Sequence, residues 1–418
     1  HGYERFPQRI TSDVDLMIPG DVRAEQVAAL LEENRAAIGG TVVRCLSNYI
    51  VLAGRNADGS RCFLDLDLSA DCIVANRHFC AGSEILKSRR RHHPFWVPGV
   101  PVEFGCYLVR KIAKGALNDE QARRLTDLYS RDPAGCRKWI DRFWAADRAA
   151  IFGAAAGSGH WDPVRRGLQG LRAELMRHAL WRPWRLFGNW WSRMARRMKR
   201  MWRPEGGLNI ILLGTDGAGK SSVIEAVSRN VGGVFARTTC YTFPPALLRR
   251  LLRRPEGPPK LPQELPPRSF LASVIRAVGY WFVYYRLLQK FSIRLDLARS
   301  TLVWHDRHLV DALVDAKRYR YAGPRRLLEL IWRLIPKPHL VILLDAPAAV
   351  VQARKQEVPF EETARQRNAY LAIIKTLKNG HVVDAAQSLE KVVEDVSDIV
   401  LRDLNMRIRE FLALEKKP

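Results

Sequence analysis

Apolar and polar positions follow two rhythms along this chain, and the rhythm changes near its middle. Residues 21–38 repeat apolar side chains at helical spacing, with Asp21 placed to cap the first turn. Thr41–Leu52 and Arg61–Leu68 are apolar, β-branched runs on either side of Asn56-Ala57-Asp58-Gly59, which predicts a hairpin. Residues 103–150 return to helical spacing. Beyond residue 206, four apolar runs (Asn209–Leu213, Thr301–His305, His339–Leu344 and His381–Val383) alternate with helical stretches. That alternation predicts a parallel sheet flanked by helices. The six prolines from Pro255 to Pro267 exclude regular structure there.

The pattern divides the chain into three parts. Residues 1–150 predict an α+β domain whose C-terminal part is helical. Residues 151–206 predict a helical connector ending at the breaker Pro204-Glu205-Gly206-Gly207, and residues 207–418 predict an α/β domain.

Composition adds an electrostatic constraint. Apolar residues make up 47% and charged residues 27% of the 418, which suits packed cores and excludes a disordered chain. The net charge of +25 implies an anionic partner. Residues 181–204 interleave Trp181, Trp184, Trp190, Trp191 and Trp202 with eight basic residues. Three uses fit: a helix packing its tryptophans on a domain, contact with the inner face of a membrane, or contact with a nucleic-acid backbone. The nucleic-acid use ranks last. Phe270–Phe291 is the most membrane-like run, but Arg276, Arg286 and Lys290 interrupt it. The seven cysteines are odd in number and form no CxxC pair, so reduced thiols in a cytoplasmic protein are expected. A chain opening at His1 rather than Met is expected to have lost a preceding segment.

The sharpest local signal is Gly214-Thr215-Asp216-Gly217-Ala218-Gly219-Lys220-Ser221, a complete GxxxxGK[ST] between an apolar strand and the helical run Ser222–Val231. Glycines let backbone N–H groups wrap nucleotide phosphates. Lys220 is expected at the β/γ phosphates and Ser221 on magnesium, with Ser222 beside it. ATP and Mg²⁺ are the implied ligands. Asp306 and Arg307 end the strand Thr301–His305, where the acid can hold hydrated magnesium and the arginine can face a second anion. Arg318 and Arg320 alternate with Tyr319 and Tyr321 as candidate substrate contacts. Arg354, Arg365 and Arg367 follow around Pro359, spaced to close over a transferring phosphoryl group.

Gly214–Ser221, the Asp306-Arg307 pair and the Arg354 and Arg365/Arg367 segment resemble the thymidylate kinase family over about residues 207–405. DRHLVDALVDAKRYRY and LDAPAAVVQARKQE are most similar to family members encoded among bacterial surface-polysaccharide genes. The resemblance implies a phosphotransferase that passes a phosphoryl group from ATP to a nucleotide or phosphorylated sugar. The insertion Leu247–Ser269 and the Arg318–Tyr321 cluster depart from housekeeping thymidylate kinases, so thymidylate itself is not implied as acceptor.

The N-terminal part carries a second candidate. Asp13 and Asp15 share one face of a short apolar strand, as do Asp65 and Asp67 of another. Asp13, Asp15 and Asp65 together form a set suited to two magnesium ions in nucleotidyl transfer. With Gly2-Tyr3 upstream they resemble the polymerase-β-like nucleotidyltransferase fold, although Tyr3 stands where that pattern has a small residue. A metal site from His78, Cys80, His92 and His93 is a weaker expectation than a basic loop beside Arg89–Arg91. Two alternatives to the kinase thus stand: a bifunctional enzyme with an active N-terminal domain, and a P-loop ATPase bound to nucleic acid or a membrane surface.

Overall fold

The computed structural model describes residues 13–46, 48–74, 77–92, 95–178, 206–242, 266–282, 292–356 and 358–415, together with Trp191, Met194, Ala195 and Met198. Gly2, Tyr3, His93, most of the Trp/Arg-rich stretch 181–204 and the proline-rich stretch before Pro266 lie outside the described residues. The chain is a mixed α/β protein and divides into two compact units. One comprises residues 1–30, 47–50 and 64–197; the other comprises 31–46, 51–63 and 198–418. The units do not follow chain order.

The N-terminal strands are β1 (Val14–Met17), β2 (Gly40–Leu46), β3 (Tyr49–Arg55) and β4 (Arg61–Ser69), preceded in part by helix α1 (Ala24–Glu33). They form a sheet in the order β1-β4-β3-β2. The predicted hairpin is present: Asn56 N–H donates to Ser60 O, and Gly59 closes the turn at φ +81°. Two local expectations shift. Helix α1 begins at Ala24, where Gln26 Oε1 accepts from Arg23 N–H, so Asp21 is not its cap. The run Thr41–Leu52 breaks into two strands, and Asn48 O in the gap accepts from Leu68 N–H.

Beyond the short pairs β5/β6 (Asp71–Val74, Arg77–Ala81) and β7/β8 (Arg90–His92, Phe95–Val97), the first unit turns helical. Helices α2 (Val100–Lys114), α3 (Asp119–Arg131), α4 (Pro133–Asp141), α5 (Ala146–Ser158) and α6 (Leu168–His178) pack around buried Phe104, Leu125, Ile140, Phe152 and Leu175. Their boundaries have local causes. Asn118 accepts from Gln121 N–H in a reciprocal capping box, and Asp132 caps α4 ahead of Pro133.

The second unit holds a five-stranded, all-parallel sheet in the order β10-β11-β9-β12-β13. Its strands are β9 (Leu208–Leu213), β10 (Arg237–Tyr241), β11 (Thr301–His305), β12 (Leu340–Asp345) and β13 (Gly380–Asp384). All six residues of the central strand β9 are buried, as a strand covered on both faces requires. Each fully buried Leu or Ile there contributes about 1.5–3 kcal/mol. Its described helices include α7 (Lys220–Asn230), α8 (Phe270–Tyr280), α9 (Leu309–Val314), α10 (Arg325–Leu334), α11 (Ala348–Arg354), α12 (Phe360–Ile374) and α13 (Leu389–Glu415). Segments from the N-terminal part belong to this unit too. Asn405 on α13 donates to Val42 O, and Arg61 pairs with Asp398 at 2.7 Å.

From β9 the chain proceeds to β10 at one edge, and from β12 to β13 at the other. In open parallel sheets, the carboxyl ends of neighbouring strands that diverge in this way leave a crevice between their loops. The glycine-rich segment leaves β9 at that point. Behind it, the His305 ring donates from Nε2 to Asn209 Oδ1 at 2.8 Å, both side chains being buried. Burial pushes His305 down to about 3, so it is neutral at physiological pH.

Candidate functional site

Gly214–Ser221 makes a tight turn between β9 and α7, and its glycines carry the conformation. Gly214, Gly217 and Gly219 have φ of +153°, +92° and +87°, which L side chains rarely adopt. At Gly217 a Cβ would come 3.2 Å from Lys355 Cβ, so this backbone is also closely packed against the end of α11. A Cβ at Gly219 would meet nothing within 4 Å, which leaves the start of α7 open to a ligand. Ser221 and Ser222 are exposed on its first turn. Thr215 and Ala218 are buried, and Ala218 N–H donates to Thr215 O to close the loop.

The charged groups converge on one carboxylate. Lys220 Nζ donates to Gly214 O at 2.7 Å and Thr215 O at 3.1 Å, and stands 3.8 Å from Asp216 Oδ1. Arg307 lies 3.5 Å from the same oxygen, and Arg318 pairs with Asp216 Oδ2. Three cations thus share one loop carboxylate, and each can exchange it for an anionic ligand. A shallow recess opens among them.

Four groups that sequence reasoning missed complete its wall: Asp311, Asp315, Gln366 and Tyr370. Asp311 accepts from His308 N–H and, at 2.6 Å, from the Tyr370 hydroxyl; burial holds its carboxyl above the usual range. Asp315 accepts from Arg318 N–H and from the Gln366 amide. The Asp311-to-Asp315 spacing was the available signal, one acid on a short helix and the other just past its end. Periodicity alone reads such a pair as a solvated face.

The other expected residues are placed as follows. Asp306 stands immediately beyond β11, with its N–H donating to Tyr241 O. Arg354 donates to Ala385 O. Arg365 is held by Glu362 and Val314 O, and Arg367 grips Asp345 through two parallel bonds of 2.6 and 2.8 Å. Neither Arg365 nor Arg367 is among the described residues that line the recess. Arg320 is separated from Arg318: it lines a different recess.

In the first unit, parallel pairing sets Asp15 of β1 beside Asp67 of β4. Burial and the neighbouring Asp15 charge raise the Asp67 carboxyl, while Asn48 donates to it at 3.2 Å. Arg110 from α2 pairs with Asp15 at 3.3 Å, and Asp65 Oδ1 is buried without a hydrogen bond. Among the described residues, no group of three or more Asp, Glu, His or Cys is placed to hold a metal ion. Asp13, Asp15 and Asp65 are therefore not gathered into one ligand set. His78 pairs with Asp71, and Cys80 donates to Glu84, which likewise forms no metal cluster.

No family profile matches the chain. No curated protein matches it. Among the described residues, no helix is long and apolar enough to cross a membrane.

Proposed function

We propose that the second unit is an ATP-dependent phosphotransferase acting on an anionic small molecule, a nucleotide or a phosphorylated sugar, in the making of cell-surface polysaccharide. The observation that carries this reading is the convergence of Lys220, Arg307 and Arg318 on Asp216 beside an open glycine backbone. The resemblance noted above supplies the polysaccharide context.

The residues divide the labour. Backbone N–H groups of Gly217 to Ser221 cradle the triphosphate, and Lys220 exchanges its two carbonyl partners for phosphate oxygens. Ser221 and Asp306 offer the oxygen donors that magnesium prefers. Bound there, the ion would draw charge from the phosphates. Arg307 and Arg318 hold the acceptor's anionic group opposite. An acceptor phosphate oxygen forms a bond to the γ-phosphorus as the bond from that phosphorus to the β-bridging oxygen breaks. The electron pair leaves on ADP, and a dianionic acceptor has no proton to lose. Arg365 and Arg367 join only on release from Glu362 and Asp345.

The test is to incubate purified protein with Mg-ATP and panels of nucleoside monophosphates and sugar phosphates, reading products by ³¹P NMR. Turnover of at least one acceptor is expected, with Arg307→Ala raising acceptor KM and Asp306→Asn lowering kcat. Undiminished turnover in Lys220→Ala at saturating ATP would overturn the assignment.

A second reading, nucleotidyl transfer by the first unit, draws on the Asp15–Asp67 register and on the orphaned oxygen of Asp65. Release of pyrophosphate from any nucleoside triphosphate by the Lys220→Ala chain, abolished by Asp13→Asn with Asp15→Asn, is the outcome that would establish it.

A further inference from the structure

Helix α8 is built inside out. Ser269 caps it by accepting from Ala272 N–H, which fixes its start. Leu271, Ile275, Val278 and Phe282 then follow at spacings of four, three and four residues, along one face of the helix and its end. That face is the outer one: these four side chains, with Phe270 beside them, are between 46% and 67% exposed. The opposite face holds the small residues Ser273 and Ala277, both fully buried. Ser273 accepts from Ala322 N–H, and Ala277 joins Leu309, Ala312, Leu328 and Ile331 in a core cluster.

Folding alone selects the reverse arrangement, because burying a large apolar side chain is worth more than burying a small one. Single exposed apolar residues are ordinary, whereas a stripe of four with a fifth beside it marks a contact surface. Arg276 is the one charged residue from Ser269 to Phe282, and it lies half-buried off the stripe. The neighbouring helix shows what kind of surface the stripe suits. Helix α10 packs against α8 and shares its core cluster through Leu328 and Ile331. Its outward residues Arg326, Leu330, Arg333 and Leu334 are all exposed, and its one acid, Glu329, is engaged by Arg325 at 3.0 Å. Exposed Phe, Leu and Ile beside arginines complement a layer that is apolar within and anionic at its face. A second copy of the chain would bring more arginines and no free acid to meet them. A nucleic-acid backbone would leave the apolar stripe in water.

We propose that α8 and α10 form a docking surface for an anionic lipid bilayer. Phe270, Leu271, Ile275, Val278 and Phe282 enter the acyl boundary, while Arg326 and Arg333 meet lipid phosphates. Helix α8 has 11 residues, too few to span a bilayer, so the contact is peripheral. None of these residues lines the recess at Asp216, so the surface stands apart from the phosphotransferase reading. It is also distinct from the Trp/Arg-rich stretch 181–204.

Flotation of the full chain with vesicles of phosphatidylcholine, with and without phosphatidylglycerol, tests the surface. Binding to the mixed vesicles is expected, and to phosphatidylcholine alone it should be about tenfold weaker or less still. Ile275→Ser with Val278→Ser should weaken it by about tenfold or more, and Phe270→Ser with Leu271→Ser provides an independent pair. Arg326→Gln with Arg333→Gln should weaken it by about tenfold and reduce its salt dependence. These positions are exposed, so each variant should melt within about 2 °C of the wild type. Trp190→Ser with Trp191→Ser should leave binding within about threefold. Failure of the wild type to float with the mixed vesicles overturns the proposal, as does binding that follows Trp190 and Trp191 and ignores both α8 pairs. Sedimentation equilibrium without lipid supplies the remaining arm: the α8 pairs should not change the mass. A wild-type dimer that they dissociate would assign the face to a second copy and overturn the lipid proposal.

Discussion

Two regions of this protein place acidic residues in or just after strands, and they are built on different electrostatic plans. At the glycine-rich loop, Asp216 is met by Lys220, Arg307 and Arg318, beside backbone left open at Gly219. On β1 and β4, Asp15 and Asp67 stand side by side, with Arg110 paired to Asp15 and Asn48 donating to Asp67. The first plan gathers cations on one loop acid beside open backbone, with Asp311 and Asp315 in the same wall. The second spends its counter-charge within the fold. Acidic residues on or beside strands thus carry little functional information until the cations around them are counted.

The largest effect expected from this contrast is in phosphoryl transfer. Lys220→Ala should lower ATP-dependent turnover by about 10³-fold or more, since it removes the charge that meets the transferring group. Arg110→Ala should leave the same rate within twofold. Comparable losses in both variants would erase the distinction between the regions.

Acid should then act on the loop-bearing unit. Burial holds His305 and His339 down to about 3, against an ordinary value of 6.5, so the unfolded chain takes up these protons first. Their contribution is complete above pH 6.5 and is lost as pH falls toward 3. At pH 5 each costs about 2 kcal/mol of stability. Urea unfolding between pH 7 and pH 4.5 measures this, and His339→Gln should flatten the slope. An unchanged slope would refute the assignment.

Asp345→Asn removes the bidentate partner of Arg367, and partial exposure of the pair limits the loss to about 1 kcal/mol, measurable by denaturant midpoint. The smallest effect belongs to the first unit. Magnesium without nucleotide should move the melting temperature by under about 1 °C, because Arg110 already occupies Asp15. A larger rise that disappears in Asp13→Asn with Asp15→Asn would show that the carboxylates gather a metal after all.

What could be read from sequence follows the distance over which each signal is spread. The glycine-rich segment Gly214–Ser221 is contiguous, and the buried strands β9, β11 and β12 are mostly apolar runs, so the turn and the strands were legible. Strand β10 was missed because it lies at the sheet edge, where Arg237 and Thr238 are exposed and no apolar rhythm forms. Asp311, Gln366 and Tyr370 meet in the recess from α9 and α12, which no local spacing encodes. Arg318 and Arg320, two apart, would share a side if the segment were extended, and the left-handed turn at Arg320 sends them to different places.

The buried Asn209–His305 bond has a consequence for how this site is assembled. Apart from Thr301, neighbouring strands β9 and β11 are otherwise apolar, so this pair is the polar bond between their side chains. A slip of one residue would turn one partner to the opposite face and strand two polar groups in a dry core, at about 1–3 kcal/mol each. It would also displace Asp306 by about 3.3 Å relative to the loop that begins at Gly214. The pair works as a ratchet pawl during folding: it admits the one alignment in which both strands deliver their terminal residues to the same crevice.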